Sequence, residues 1–244
     1  MKWVYKHIDA ALFVGIQNRK YFVACGVPER KLFFAPHAVD NNFFSGADEM
    51  YKKNAKEWRN KLGIKEADTV FLFAGKYQKE KNPLLLLNAF INIKQANAHL
   101  IFVGNGVLEP KLRKEAGKYR NIHFIDFQNQ SKMPVVYRLA NIFVLPSQSE
   151  TWGLAVNEAM ACSCALLVSD KCGCYSDLVI EGKNGYIFKS DNVQDLFFKI
   201  DLLVQHTSKI TGMGKTSLQI VKGWNYDKVC NTIERVCLKK NKNF

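Results

Sequence analysis

Beginning at Thr69 the chain alternates strand-like apolar runs with helix-forming stretches, and few arrangements accommodate that order. The runs at 70–74, 99–103, 122–125, 142–145 and 165–169 are short, continuous in apolar character and rich in Val, Ile, Leu and Phe. A strand that is apolar on both sides is covered on both sides. The stretches between them, at 83–95, 107–118, 133–140 and 153–162, read as helices. Strand, helix, strand in this order gives parallel crossovers, so the expectation is an α/β chain: a doubly wound parallel sheet with helices on both faces. Further helices are expected at 193–206, 213–222 and 226–239. The first forty-odd residues supply two more strand-like runs, 10–15 and 32–36, joined by a helical stretch at 18–25. That is too little to close a core alone. A polar, charged segment follows, with a helical pattern over 48–62.

Charge narrows the partners. Thirty-five Lys and Arg against 22 Asp and Glu give a formal charge of +13, which favours anionic ligands or surfaces. The lysines are scattered, and no basic run is interleaved with aromatics as a nucleic-acid groove would be, so nucleic acid is not expected as a partner. No apolar run is long enough to span a bilayer, which leaves peripheral contact with an anionic membrane. Seven cysteines, an odd number behind no signal peptide, point to reduced thiols and a cytoplasmic protein. Cys162, Cys164, Cys172 and Cys174 form two C-x-C pairs. Their spacing departs from that of structural zinc sites, and small buried thiols account for them without metal. The histidines are isolated; His37, in the A-P-H-A-V-D segment, is the one that could reach a cleft.

A doubly wound sheet binds ligands at the carboxyl ends of its strands, so the loops there carry the functional reading. No G-x-G-x-x-G follows a strand: the first leads into GKYQKEKN (75–82), and Gly104-Asn105-Gly106 lacks the third glycine. No G-x-x-x-x-G-K-[ST] is present either. The NAD and ATP-hydrolysing readings fall with them. GKYQKEKN carries Lys76, Lys79 and Lys81, which make either a solvated basic loop or, at that strand end, a cradle for a diphosphate. The stretch PSQSETWGLAVNEAMA (146–161) places Glu150 before and Glu158 within the helix expected from about Trp152. The first N–H groups of that helix, at Thr151 to Leu154, can receive a phosphate, and Gly153 leaves the approach open. A carboxylate repels phosphate but accepts two hydroxyls side by side. Glu158 then suits a ribose and Glu150 a sugar beyond the diphosphate. The alternative keeps Glu158 as an exposed helix residue and Glu150 as a partner of the helix dipole.

These motifs in this order, GKYQKEKNPLLLLNAF, LIFVGNG, IDFQNQSKMPVVYRLANIFVLPS, Glu150-x7-Glu158 and SDLVIEGKNGYIF, resemble the donor-binding half of a family 4 glycosyltransferase. The likeness is strongest to bacterial enzymes of capsule and lipopolysaccharide synthesis. Such enzymes have the two-domain GT-B fold, retain anomeric configuration, use nucleotide-activated sugars and need no bound metal. The resemblance implies that Lys76 and Lys81 bind the diphosphate and, with the sugar contact Glu150, form the catalytic group. It puts the nucleotide against Gly75, Gly104, Asn105, Phe127, Gln128, Thr151, Trp152, Gly153, Leu154 and Glu158, and Gly173 and Asp177 near the sugar. No D-x-D metal motif is found, and neither a metal nor a cofactor is expected beyond the UDP- or GDP-linked donor.

The same resemblance divides the chain into a remnant of an N-terminal acceptor domain with its crossover (1–45), a nucleotide-sugar-binding domain (46–225) and a returning helix (226–244). The expected partners are the donor, a saccharide or lipid-linked acceptor, and a separate or missing N-terminal domain. Two other readings use the same crevice: a non-catalytic nucleotide-sugar module or remnant of an enzyme, and a nucleotide-sugar epimerase.

Overall fold

The computed structural model describes residues 2–241. Among the described residues eight strands and twelve α-helices run in the order α1 (Lys2–Lys6), β1 (Ala11–Phe13), α2 (Ile16–Ala24), β2 (Leu32–Phe34), α3 (Asn41–Ser45), α4 (Asp48–Lys61), β3 (Thr69–Ala74), α5 (Pro83–Phe90), β4 (Ala98–Val103), α6 (Glu109–Ala116), β5 (Ile122–Ile125), α7 (Met133–Arg138), β6 (Ile142–Leu145), α8 (Leu154–Ala161), β7 (Ala165–Ser169), α9 (Tyr175–Leu178), β8 (Gly185–Phe188), α10 (Val193–Gln205), α11 (Thr207–Val221) and α12 (Tyr226–Asn241). Strands β3 to β8 form one parallel sheet in the order β5-β4-β3-β6-β7-β8, and β1 pairs with β2 in a separate parallel ribbon.

The strand composition explains the layering. Successive side chains point to opposite faces. Val70 and Leu72 on β3, Ile101 and Val103 on β4, Phe143 and Leu145 on β6, and Leu166 and Val168 on β7 enter one core, against α7 and α8. Phe71 and Phe73, Leu100 and Phe102, Ile142 and Val144, and Ala165 and Leu167 enter the other, against α5, α6 and α10. Continuous apolar strands thus fill two cores at once. The winding starts at the centre with β3, runs out to β5, then returns to β6 and runs out to β8. The reversal lies between β3 and β6, and there the loops after the two strands part and leave a crevice.

Four local expectations need correction. The sheet has a sixth strand, β8, at its edge, buried only at its two ends as the opposite edge strand β5 is. The helix expected over 83–95 ends at Phe90, because the Asn-rich segment after it turns instead. α8 starts at Leu154, two residues later than expected, and α11 starts at Thr207 rather than 213. The short helices α1 and α9 carried too few turns to register in the sequence.

The ribbon of β1 and β2 is held from two sides. Asp177 accepts hydrogen bonds from the Ile16 N–H with both carboxylate oxygens, at 3.0 and 3.1 Å. It thereby ties α2 to the large sheet and is engaged structurally, a role different from the sugar-side one implied by resemblance. On the other side α12 lies against β2: the Thr232 hydroxyl donates to the Phe34 carbonyl at 2.9 Å, and Lys228 and Arg235 lie over the Phe34 and Phe33 rings. Among the described residues no helix is long and apolar enough to cross a membrane.

At the amino ends of β4 and β5, away from the crevice, His99 Nδ1 lies 3.1 Å from His123 Nε2 and His99 Nε2 lies 3.2 Å from Asp68 Oδ2. Burial lowers both imidazoles, and burial with the neighbouring His99 takes His123 from 6.5 to about 4. A lowered histidine stabilises the fold in full above its unfolded pKa, and that contribution is lost as pH falls through the folded value. Unfolding free energy should therefore drop by up to about 3 kcal/mol between pH 6.5 and 4 on account of His123. His123→Phe should flatten that slope in urea titrations; an equal slope in the variant would refute the assignment.

Candidate functional site

Strand β3 ends at Ala74, and the chain leaves it through Gly75 close beside the end of β4. The Gly75 N–H donates to the Val103 carbonyl at 3.0 Å and the Gly104 N–H to the Ile125 carbonyl at 3.1 Å. Gly104 has φ +136°, and a Cβ placed on it would lie 2.1 Å from the Gly75 carbonyl oxygen. Only glycine allows these two loops to approach so closely. On the other side of the reversal, the loop after β6 is fastened twice. The Gln148 N–H donates to the Glu80 carbonyl in the lysine loop at 2.8 Å, while Glu150 exchanges backbone hydrogen bonds with Lys171 and Gly173 at 3.1 and 2.8 Å. A Cβ on Gly173 would fall 2.0 Å from the Thr151 carbonyl oxygen. Gly173 is thus a close-packing residue beneath the Glu150 loop.

Between these loops lies a crevice of two lobes, with volumes of about 420 and 310 Å³, that share Ala74, Gly75 and Ala155. Gly75, Lys76, Gly104, Asn105, Phe127, Gln128 and Glu158 line the larger lobe, with Val103, Met133, Tyr137 and Ala155 completing its wall. Lys81, Glu150, Thr151, Trp152, Gly153 and Leu154 line the smaller one, together with His37. The residues expected to form the catalytic group and to contact the nucleotide all border one of the two lobes, whereas Gly173 and Asp177 border neither. The two lysines of the expected diphosphate pair are divided between them.

The larger lobe is walled mainly by apolar groups, with Phe127 left 65% exposed. Its carboxylate is Glu158, on the second turn of α8. Burial pushes the Glu158 carboxyl above the usual range, opposed by a hydrogen bond from the Tyr137 hydroxyl to Oε2 at 2.7 Å. Glu158 is therefore neither the solvated helix residue nor a core residue: it is a partly desolvated acceptor facing a cavity. In the smaller lobe Lys81 and Glu150 form an ion pair. Gly153, at φ +102°, turns the chain into α8 and offers no side chain to cap it. The first N–H groups of the helix are thereby left toward the junction of the lobes, where they favour an anion.

Trp152 turns inward. Its indole N–H donates to Asn157 Oδ1 at 3.0 Å, and Asn157 Nδ2 in turn donates to the His37 carbonyl at 3.3 Å. The Trp152 ring packs against His37 and Trp224 with centroids 5.4 and 5.1 Å away, and Trp224 meets Phe34 at 5.4 Å. Tyr137 and Asn157 are the residues missed from the sequence. Each is a polar group inside an apolar helix face, which calls for a buried partner. The four buried cysteines are spread through the core, with Cys162 and Cys172 raised to about 12 by burial. Among the described residues no group of three or more His, Cys, Asp or Glu is placed to hold a metal ion.

Comparison with known proteins agrees with this architecture. The family model for glycosyl transferases group 1 matches residues 54–217. The lipopolysaccharide 1,2-N-acetylglucosaminetransferase of Salmonella typhimurium is 32% identical over 192 residues, covering 73% of this chain and 48% of the relative. The chain spans about half the length of the curated relatives it matches. Among solved structures, Anabaena HepE in complex with UDP superposes with a TM-score of 0.83 at 15% identity, over 97% of this chain and 65% of that one. The C-terminal domain of a group 1 glycosyl transferase from Francisella tularensis gives 0.64 at 24% identity, over 76% of this chain and 97% of that one. A doubly wound sheet with its crevice at the β3–β6 reversal, matched by the family model through most of that sheet, makes this chain a member of the group 1 glycosyltransferases of the GT-B fold.

Proposed function

We propose that the crevice binds a nucleoside diphosphate sugar and that the chain is the donor side of a retaining glycosyltransferase. In this reading the base and ribose occupy the larger lobe, near Phe127, Gln128 and Glu158. The diphosphate crosses the junction at the start of α8, and the sugar enters the smaller lobe beside Glu150. The observation that carries the reading is the junction itself: two lobes meet where a helix begins with uncapped N–H groups, and a lysine stands in each lobe. That arrangement suits a ligand with an anion in its middle and neutral hydroxyl-bearing groups at both ends. Lys76, Lys81 and the helix start would take up charge developing on the leaving diphosphate. They do so without a metal or a further cofactor in this scheme.

HepE holds UDP, which makes UDP the first nucleotide to try and GDP the second. The acceptor is a saccharide or lipid-linked saccharide, and an acceptor-binding half, in the same polypeptide or a separate one, completes the reaction. A relative named as a lipopolysaccharide N-acetylglucosaminetransferase and another named as a monoglucosyldiacylglycerol synthase support a role in lipopolysaccharide or glycolipid assembly, and capsule synthesis is the neighbouring class of reaction. The charge of +13 suits a cytoplasmic protein held peripherally at an anionic membrane face.

Melting in the presence of UDP, GDP and ADP tests the reading. A nucleotide at a hundred times its dissociation constant should add about 2.7 kcal/mol, a rise of several degrees. No shift with any of the three would overturn it.

A further inference from the structure

The Tyr137 ring is fully enclosed, meeting Phe44 and Phe143 edge-on at centroid distances of 6.1 and 5.6 Å. A phenylalanine would fill the same space. The hydroxyl therefore has a use other than packing, and its partner shows which: it donates to Glu158 Oε2 at 2.7 Å. Burial, with the nearby Glu158 charge, holds the Tyr137 pKa well above its usual value, so the phenol keeps its proton and acts as the donor. Glu158 faces the larger lobe of the crevice. A carboxylate tethered by one oxygen loses much of its rotational freedom, and its second oxygen is left for a ligand.

We infer that Tyr137 is a positioning residue for ribose recognition: it orients the Glu158 carboxylate so that the untethered oxygen receives the vicinal hydroxyls of a nucleoside diphosphate. This rests on the donor-binding reading of the crevice. Selectivity for ribose over a sugar lacking those hydroxyls then depends on a side chain that acts through Glu158. The hydrogen bond also favours the charged carboxylate against its burial, and a carboxylate accepts hydroxyl protons where a carboxylic acid competes as a donor.

Calorimetric titration of wild type and Tyr137→Phe with UDP and 2′,3′-dideoxy-UDP, between about pH 5 and pH 8, tests the inference. Wild type should prefer UDP, with affinity falling at the acid end as Glu158 takes up a proton. Tyr137→Phe should bind UDP about tenfold more weakly and dideoxy-UDP unchanged, so the preference collapses. Its acid limb should also move to higher pH, because the carboxyl has lost the bond that favours its charge. Equal weakening of both nucleotides with an unmoved acid limb would mark Tyr137 as structural only and overturn the inference. A wild type that binds no nucleotide sinks the donor reading along with it, whereas a wild type that binds and a variant that behaves identically sinks the positioning role alone. Should Tyr137→Phe not fold, NMR of the wild-type Tyr137 hydroxyl proton decides. It should be slow to exchange and lose that protection in Glu158→Ala, which leaves no acceptor; rapid exchange in wild type overturns the inference.

Discussion

Gly104→Ala is expected to lower the melting temperature by roughly 10 °C, which for a chain of this size corresponds to about 3–5 kcal/mol. The added methyl would sit 2.1 Å from the Gly75 carbonyl oxygen at a φ of +136°, so both a clash and a strained backbone oppose it. Relief requires the ends of β3 and β4 to separate, and Gly75 and Gly104 are each bonded to the neighbouring strand. Donor binding should fall with stability, because the two glycines line the larger lobe. Gly63→Ala is the control: its φ is +73° but nothing lies within 4 Å of the new methyl, so it should cost only about 1 kcal/mol. Equal losses in the two variants would show that the close approach of the loops is not what makes Gly104 indispensable.

The second large effect concerns the Lys81–Glu150 ion pair, whose side chains are 32% and 15% exposed. Lys81→Ala removes the cation that the proposed donor's diphosphate would meet and leaves Glu150 as an uncompensated negative charge in the smaller lobe. Nucleoside diphosphate affinity should drop about 30- to 100-fold, in the range for truncating one member of a shielded charge pair. Glu150→Gln should act in the opposite direction on the nucleotide alone: it frees Lys81 and removes a repulsive charge, so UDP should bind a few-fold more tightly. The same change should weaken the contribution of the attached sugar, because the carboxylate that would accept its hydroxyls is gone. Titrating both variants with UDP and UDP-glucose separates the two roles. Weaker UDP binding in Glu150→Gln would contradict the assignment of Glu150 to the sugar.

Much of this was legible in the chain because burial on both faces leaves a strong trace. Five strands of the large sheet are continuous apolar runs, and each fills both cores. β8 is not among the strands expected from the sequence, although it is as short and as half-covered as the opposite edge strand β5; it begins at a glycine straight after a turn, and pairing with β7 defines it. The lysine loop and the Glu150–Glu158 stretch were found by position, since carboxyl ends of strands at a reversal bind ligands, while Gly104, Asn105, Phe127 and Gln128 came from the family resemblance. Contacts between distant side chains left no such trace. Lys81 meets Glu150 across 69 residues and Tyr137 meets Glu158 across two elements; neither pairing has a periodicity to betray it. The inward turn of Trp152 was hidden for the same reason, because its partner Asn157 lies on the buried face of α8.

The ring contacts around Trp152 give the molecule a built-in optical gauge. The chain has four tryptophans; Trp3 is 73% exposed, while Trp152 is buried in the wall of the smaller lobe and packed on Trp224. Trp224 touches Phe34 on the β1–β2 ribbon, and Trp152 touches His37 in the segment leading away from it. A rotation of the ribbon against the large sheet, or a ligand settling beside Glu150, therefore alters the surroundings of the same indole pair. Intrinsic emission should respond to occupancy of the smaller lobe, or to a shift of the ribbon, without a label.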